Sequence, residues 1–315
     1  MSSSLLGRLQ HTRGPWQQVG SSRHLRIVPV QAQPAIVIQA TIAMAAAKPT
    51  LVYFPPSYAV TKVRFLMEEK DIHYDLRAVN LLLCQNLKPD YVKKVNPNGT
   101  VPALVLPDGK VLTESLDIMK WADNVDGKPL GGSEVDKEKV DFWLEKMNDF
   151  DGNYFAAAWA PSPVGPLLKD QLEYKKGFVE HYAKKDPELA DFYKSKSEWT
   201  TKELAKIADA SEKKKIKDEA ASLLGTAEKQ LAETEFVAGP VISIADAMFA
   251  TLLSRTEVAS KELINDYPKV KEYWKKFKAR KSYATVVAQY QGAGAQLGLL
   301  PSLVSLKFKK AFGFY

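Results

Sequence analysis

Asn96-Pro97-Asn98-Gly99-Thr100-Val101-Pro102-Ala103-Leu104, followed ten residues on by Glu114-Ser115, is the stretch on which the reading of this chain turns. Asn-Pro-Asn-Gly reads as a turn and Val101 to Leu106 as a short extended run. Asp108-Gly109 suits a tight hairpin turn, with Lys110 to Leu112 returning as the partner strand. Thr113-Glu114-Ser115 stands where the next helix begins, and Leu116, Ile118, Met119 and Trp121 give it an apolar face. A proline beside an edge strand has no amide to donate, so the Val101 backbone is left to pair with something else. A Glu-Ser pair at a helix start offers free amides, a hydroxyl and a carboxylate, which suits an amino-acid head group. Together they read as a receptor for a short peptide; the plain alternative is a hairpin followed by a capped helix.

Upstream, Leu51 to Phe54 reads as a buried strand stopped by Pro55-Pro56. Ser57 follows, then Val60, Val63, Arg64, Phe65 and Leu66 at helical spacing. Asp75 to Val79 reads as a second strand and Pro89 to Val95 as a short helix, giving the order β-α-β-α-β-β-α. A turn-rich linker, Asn124 to Ser133, precedes a region that reads as helix throughout: 136–159, 167–193, 200–233, 243–258, 267–278 and 283–291. Ser243 suits the cap of the helix from Ile244, and Asp246 favours its positive end, so Asp246 is assigned to folding and not to catalysis.

Charge is unevenly distributed. Residues 1–67 hold no acid, and their Arg8, Arg13, Arg23, Arg26, Lys48, Lys62 and Arg64 account for the whole formal charge of +7. No basic stripe interleaved with aromatics follows, so nucleic acid is not an expected partner. Cys84 is the only cysteine and the four histidines are scattered. No intrachain disulfide, thiolate zinc site or Cys-x-x-Cys pair is therefore possible, and no metal is expected.

Residues 1–48, rich in arginine and serine, read as a leader. The composition fits a transit peptide, and Arg26 to Ala32 resembles the processing region of algal plastid precursors, which favours the chloroplast over the mitochondrion. A second start at Met44 would instead give a cytoplasmic protein. The tail, 291–315, is apolar and uncharged to Leu306, and then Lys307, Lys309 and Lys310 alternate with Phe308, Phe312 and Tyr315. It fits either a peripheral membrane contact or a segment folded back on the chain's own helices.

Val101-Pro102 with Glu114-Ser115 at this spacing resembles the glutathione S-transferase family, over about residues 50–290. The 113–130 segment resembles bacterial transferase-shaped glutaredoxins, and 167–233 with the ending resembles the plant tetrachlorohydroquinone-dehalogenase-like class. The resemblance implies an α/β thioredoxin-like N-terminal domain (49–124), a linker (125–135), an all-α C-terminal domain (136–290) and the tail.

It also implies the site. A Val-Pro step with a cis proline, Val101-Pro102, would hold the cysteinyl part of glutathione, and Glu114 and Ser115 its γ-glutamyl end. Thr100 and Lys88 fall where the family contacts the glycine end. In serine classes the catalytic serine stands five residues before a basic residue and Val, and Ser57 stands so before Lys62-Val63. Ser57 is the expected thiolate donor, with Tyr58 and Tyr53 as the other candidates and a plain helix cap as the structural reading. Trp143, Phe150, Tyr154, Phe155 and Trp159 are available to line a pocket for a small electrophile. The implied activity is glutathione conjugation; a homodimer is an open expectation, and a non-catalytic relative within a larger assembly is the competing class.

Overall fold

The computed structural model describes residues 48–55, 57–161, 164–291 and 293–315; the expected leader lies outside the described residues. Four short strands form one sheet: β1 (Thr50–Tyr53), β2 (Asp75–Ala78), β3 (Ala103–Val105) and β4 (Val111–Leu112), in the order β2-β1-β3-β4. β1 and β2 run parallel, with Leu51 beside Leu76, whereas β3 is antiparallel to both β1 and β4. A parallel β1-β2 pair needs a crossover, and α1 (Tyr58–Glu69) supplies it. Every residue of α1 from Val60 to Met67 is buried, between the sheet and the helices that follow.

α2 (Pro89–Lys94) and α3 (Ser115–Asn124) complete the sheet-containing part, which is thioredoxin-like. The Val101–Pro102 peptide is cis, and Gly99 before it has φ +60°, a left-handed conformation that glycine adopts without penalty. A side chain there would also meet Phe192 and Leu87 at under 3 Å.

The rest is helical: α4 (Lys137–Asp149), α5 (Gly152–Trp159), α6 (Val164–Lys185), α7 (Ala190–Ala208), α8 (Ala210–Leu231), α9 (Ile244–Ala259), α10 (Lys261–Asn265), α11 (Pro268–Phe277), α12 (Lys281–Val286) and α13 (Ala293–Phe312). Three expected helices are cut differently here. The 136–159 run is two helices, because the Asp151 carboxylate accepts from Tyr154 N–H at 2.9 Å and starts α5. The 167–193 and 200–233 runs become three. Asp186-Pro187 ends α6, and Asp209 accepts from Ser211 N–H at 2.7 Å to open α8. Asp151 and Asp209 offer the backbone a side-chain acceptor, and Pro187 has no amide to continue α6, which outweighs the helical periodicity on either side of them.

α9 is the buried centre of the helical part. Its Asp246, fully buried, accepts from Val237 N–H (3.1 Å), Ser243 N–H (2.9 Å), the Ser243 hydroxyl (2.9 Å) and the Tyr273 hydroxyl (3.0 Å). All four bonds are structural. Two further links join α1 to the C-terminal helices. Arg64, itself buried, donates to Tyr74, Tyr290 and the Thr285 carbonyl, and Glu69 takes a two-point contact from Arg280 at 2.8 and 2.6 Å.

The tail is a helix, and proline lies inside it. α13 packs on α6: Lys310 pairs with Asp170 at 2.6 Å and with Glu173, Leu306 is fully buried, and Tyr315 stacks on Tyr174 with ring centroids 5.6 Å apart. The fold-back expectation describes one face of the tail. On the other face Leu300, Val304, Phe308 and Phe312, each one turn apart, are exposed.

Candidate active site

The turn after β1 places Ser57 as the N-cap of α1, where its Oγ accepts from Val60 N–H at 3.5 Å. Among the described residues the hydroxyl proton has no acceptor. Ser57 is 8 % exposed, and that exposed part opens on a cavity of about 220 Å³. A hydroxyl with a spare proton, at the positive end of a twelve-residue helix and beside a cavity, is placed to hold an anion.

The other two hydroxyl candidates lie away from the cavity. The Tyr58 ring packs into the core beside Phe150, Gly152 and Arg255, and burial pushes its phenol far above the ordinary range. Tyr53 is bonded to Tyr290, and burial raises its pKa as well. Neither lines the Ser57 cavity.

Along the sheet edge, no backbone hydrogen bond holds Val101 to any described residue, as the adjacent proline led one to expect. The Val101 side chain belongs to the small apolar cluster of Val52, Val60, Val79, Tyr91 and Ala103, which ties this edge to the first turn of α1. Thr100 is fixed in place: its carbonyl accepts from Tyr91 Oη at 2.7 Å and its hydroxyl from Asn96 at 3.0 Å. Asn86, which lines the cavity, donates to the Gly99 carbonyl at 2.6 Å and so joins the cavity wall to the same edge. Glu114 is exposed at the start of α3 and accepts from Asn98 at 3.0 Å; Ser115 behind it is half-buried. Lys88 stands apart. It lines a separate depression with Arg77, Asp90 and Lys94.

The helical side of the cavity differs from expectation. Of the five aromatics only Tyr154 lines it. Trp143, Phe150 and Phe155 are core, and Trp159 donates to the Lys213 carbonyl at 2.8 Å. The wall is instead built by Leu168, Gln171, Leu172 and Lys175 of α6 and by Trp199, Glu203 and Ile207 of α7. Their spacing of three, four and seven residues on α6, and of four and eight on α7, marks one face of each helix. That pattern was readable; which surface it faced was not. Among the described residues no cluster of His, Cys, Asp or Glu could hold a metal ion.

Residues 57–125 match the glutathione S-transferase N-terminal domain and residues 190–289 the glutathione S-transferase C-terminal domain. The chain belongs to the glutathione S-transferase family. It is 27 % identical over 238 residues to the tetrachloro-p-hydroquinone reductive dehalogenase of Sphingobium chlorophenolicum, covering 75 % of this chain and 94 % of that one. It is 25 % identical over 245 residues to the glutathione S-transferase TCHQD of Arabidopsis thaliana, covering 76 % and 90 %. A glutathione transferase family member from Pseudomonas fluorescens, solved with two glutathione molecules bound, shares the fold at a TM-score of 0.53 and 22 % identity, over 78 % of this chain and 95 % of that one.

Proposed function

We propose that this protein is a glutathione transferase in which Ser57 stabilises the glutathione thiolate for attack on a small electrophile. The observation that carries the reading is the Ser57 hydroxyl, with no acceptor of its own, at a helix N-terminus on a cavity wall. In this reading the Val101 backbone pairs with the cysteinyl unit, the α3 start with Glu114 and Ser115 takes the γ-glutamyl end, and Thr100 stands toward the glycyl end, whereas Lys88, in its separate depression, is given no contact. The names of the relatives support a glutathione-dependent activity.

Moving a thiol from a pKa of about 8.5 to about 6.5 takes some 2.7 kcal/mol, within reach of one charge-assisted hydrogen bond and a helix end together. The dehalogenase chemistry named for the Sphingobium relative is not carried over where it would need a thiol of this chain. Cys84 is fully buried, and burial pushes its pKa up to about 12. Retention on immobilised glutathione, followed by turnover of a neutral aryl halide, tests the reading. Retention without turnover would favour a binding or structural subunit, and no retention would leave only the fold.

The tail gives the activity a place. Residues 293–315 contain no acid, and Lys307 and Lys309 lie along the exposed Leu300, Val304, Phe308 and Phe312 stripe. An apolar stripe bordered only by cations fits the surface of an anionic membrane. No helix among the described residues is long and apolar enough to cross one. Co-sedimentation with anionic vesicles, but not with neutral ones, is the expected result; dimerisation through the stripe would instead show as self-association without vesicles. The leader's organellar address is proposed on composition, and N-terminal sequencing of native protein tests it.

A further inference from the structure

The cavity that holds Ser57 also holds a lysine that the conjugation chemistry does not use. Lys175, on the cavity-facing side of α6, sets its ammonium 4.9 Å from the centre of the Trp199 ring. No carboxylate among the described residues lies within ion-pair distance of it. Asp151, on the same cavity, is occupied by the α5 cap and by Lys206 at 3.4 Å. Glu203 also lines the cavity; burial raises its pKa, Lys206 and Lys175 act against that rise, and it makes no ion pair with Lys175. Lys196, which lies over Phe192, adds a second positive charge near enough to Lys175 to have its own pKa lowered by it. Burial lowers Lys175 in turn. A half-buried ammonium over an aromatic face, with a second lysine close by and no carboxylate at ion-pair distance, gains from an anion arriving in the cavity.

The remaining wall sets the shape of that anion. Phe54, Leu168, Leu172, Trp199 and Ile207 are apolar or aromatic. The volume of about 220 Å³ compares with the roughly 150 Å³ of an engineered cavity that holds benzene. One substituted ring fits.

We infer that Lys175 binds the anionic substituent of a single-ring electrophile, so that the Ser57 cavity prefers aromatic substrates bearing a carboxylate or phenolate over neutral ones. The inference rests on the transferase reading of the cavity. In the reaction the glutathione sulfur forms a bond to the ring carbon, the carbon–halogen bond breaks, halide leaves with the electron pair, and the thiol proton passes to solvent. Lys175 makes and breaks no bond. It holds the ring with its reactive carbon toward the sulfur. The same ammonium would also suit the glycyl carboxylate of glutathione, and the test separates the two sources.

A chlorodinitrobenzoate and its neutral carboxamide are the probes, measured with the full chain, Lys175→Gln and Lys175→Arg. Lys175→Gln should lower kcat/KM for the benzoate by about tenfold or more, mainly through KM, and leave the carboxamide within about twofold. Lys175→Arg should keep most of the preference, and the KM for glutathione should not move in either variant. Glu203→Gln, which removes the nearby carboxylate, should keep or increase the preference. Equal losses on both probes, or a raised KM for glutathione, would overturn the inference and assign Lys175 to the peptide. Calorimetric binding of the two probes needs no turnover. If the wild type binds the benzoate more tightly and Lys175→Gln abolishes the difference while neither probe turns over, the anion site stands and the transferase reading falls. Equal binding of both probes by a wild type that turns both over overturns the anion site alone. Thermal melts of each variant, matched to wild type, establish that a loss is not unfolding.

Discussion

The two walls of the Ser57 cavity are built on different terms. The sheet-side wall comes from short-range sequence: a strand, a two-proline stop, a capping serine, and an edge strand whose Val101 backbone is unpaired. The helical wall comes from α6 and α7, more than a hundred residues along the chain from Ser57, and carries Lys175, Trp199 and Glu203. Under the proposed function, the first wall would take glutathione and the second the electrophile. The α13 helix braces that second wall from outside through Lys310 on Asp170, and reaches the loop after β2 through Ser302, which accepts from Asn80 at 2.7 Å.

The largest effect should come from the sheet side. Ser57→Ala should lower kcat by roughly 10²-fold, about 2.7 kcal/mol, with the glutathione dissociation constant little changed. A rate unchanged in steady-state assays would move thiolate stabilisation off the sheet wall and dissolve the division. Glu114→Ala and Ser115→Ala should each weaken glutathione binding by about 1–3 kcal/mol in calorimetry, because a charged end of the peptide loses its partner. Wild-type affinity in both would mean that the peptide does not lie along the α3 start.

Lys62 joins the sheet-containing part to the helical part, away from the cavity. On α1 but reaching the Met147 carbonyl of α4 at 3.4 Å, it is 3 % exposed, and desolvation pulls its pKa down to about 8. A lysine whose folded pKa lies below its unfolded value of 10.5 costs stability fully below pH 8, and that cost shrinks as pH rises from about 8 to 10.5. Lys62→Met should therefore stabilise the protein at pH 7 by about 1–3 kcal/mol, and the gain should narrow in melts taken toward pH 10. A gain that is constant with pH would show that Lys62 does not titrate in this range.

The smallest effect belongs to the tail. Lys307→Gln and Lys309→Gln should weaken vesicle binding by about 1 kcal/mol each, whereas Lys310, held by Asp170 and Glu173, is not free to contribute. Its replacement should lower the melting temperature instead, which separates the bracing face of α13 from its outer face.

The sequence alone determined the β-α-β-α-β-β-α order, the place of Ser57 at the mouth of α1, the cap at Asp246 and the turn before Val101-Pro102. Each is written within a few residues, where backbone sterics, missing amides and side-chain caps act locally. Tertiary structure alone decided that Tyr58 and the Trp143 cluster face the core, that Lys88 stands outside the cavity, and that α6 and α7 face Ser57. Periodicity tells which side of a helix is apolar, but the surface that side meets is chosen by packing between segments far apart in the chain. Lys175 shows the consequence. In the sequence it is one lysine among many in a charged helical stretch, and only the meeting of α6, α7 and the first turn of α1 makes it a half-buried cation on the same cavity as Ser57.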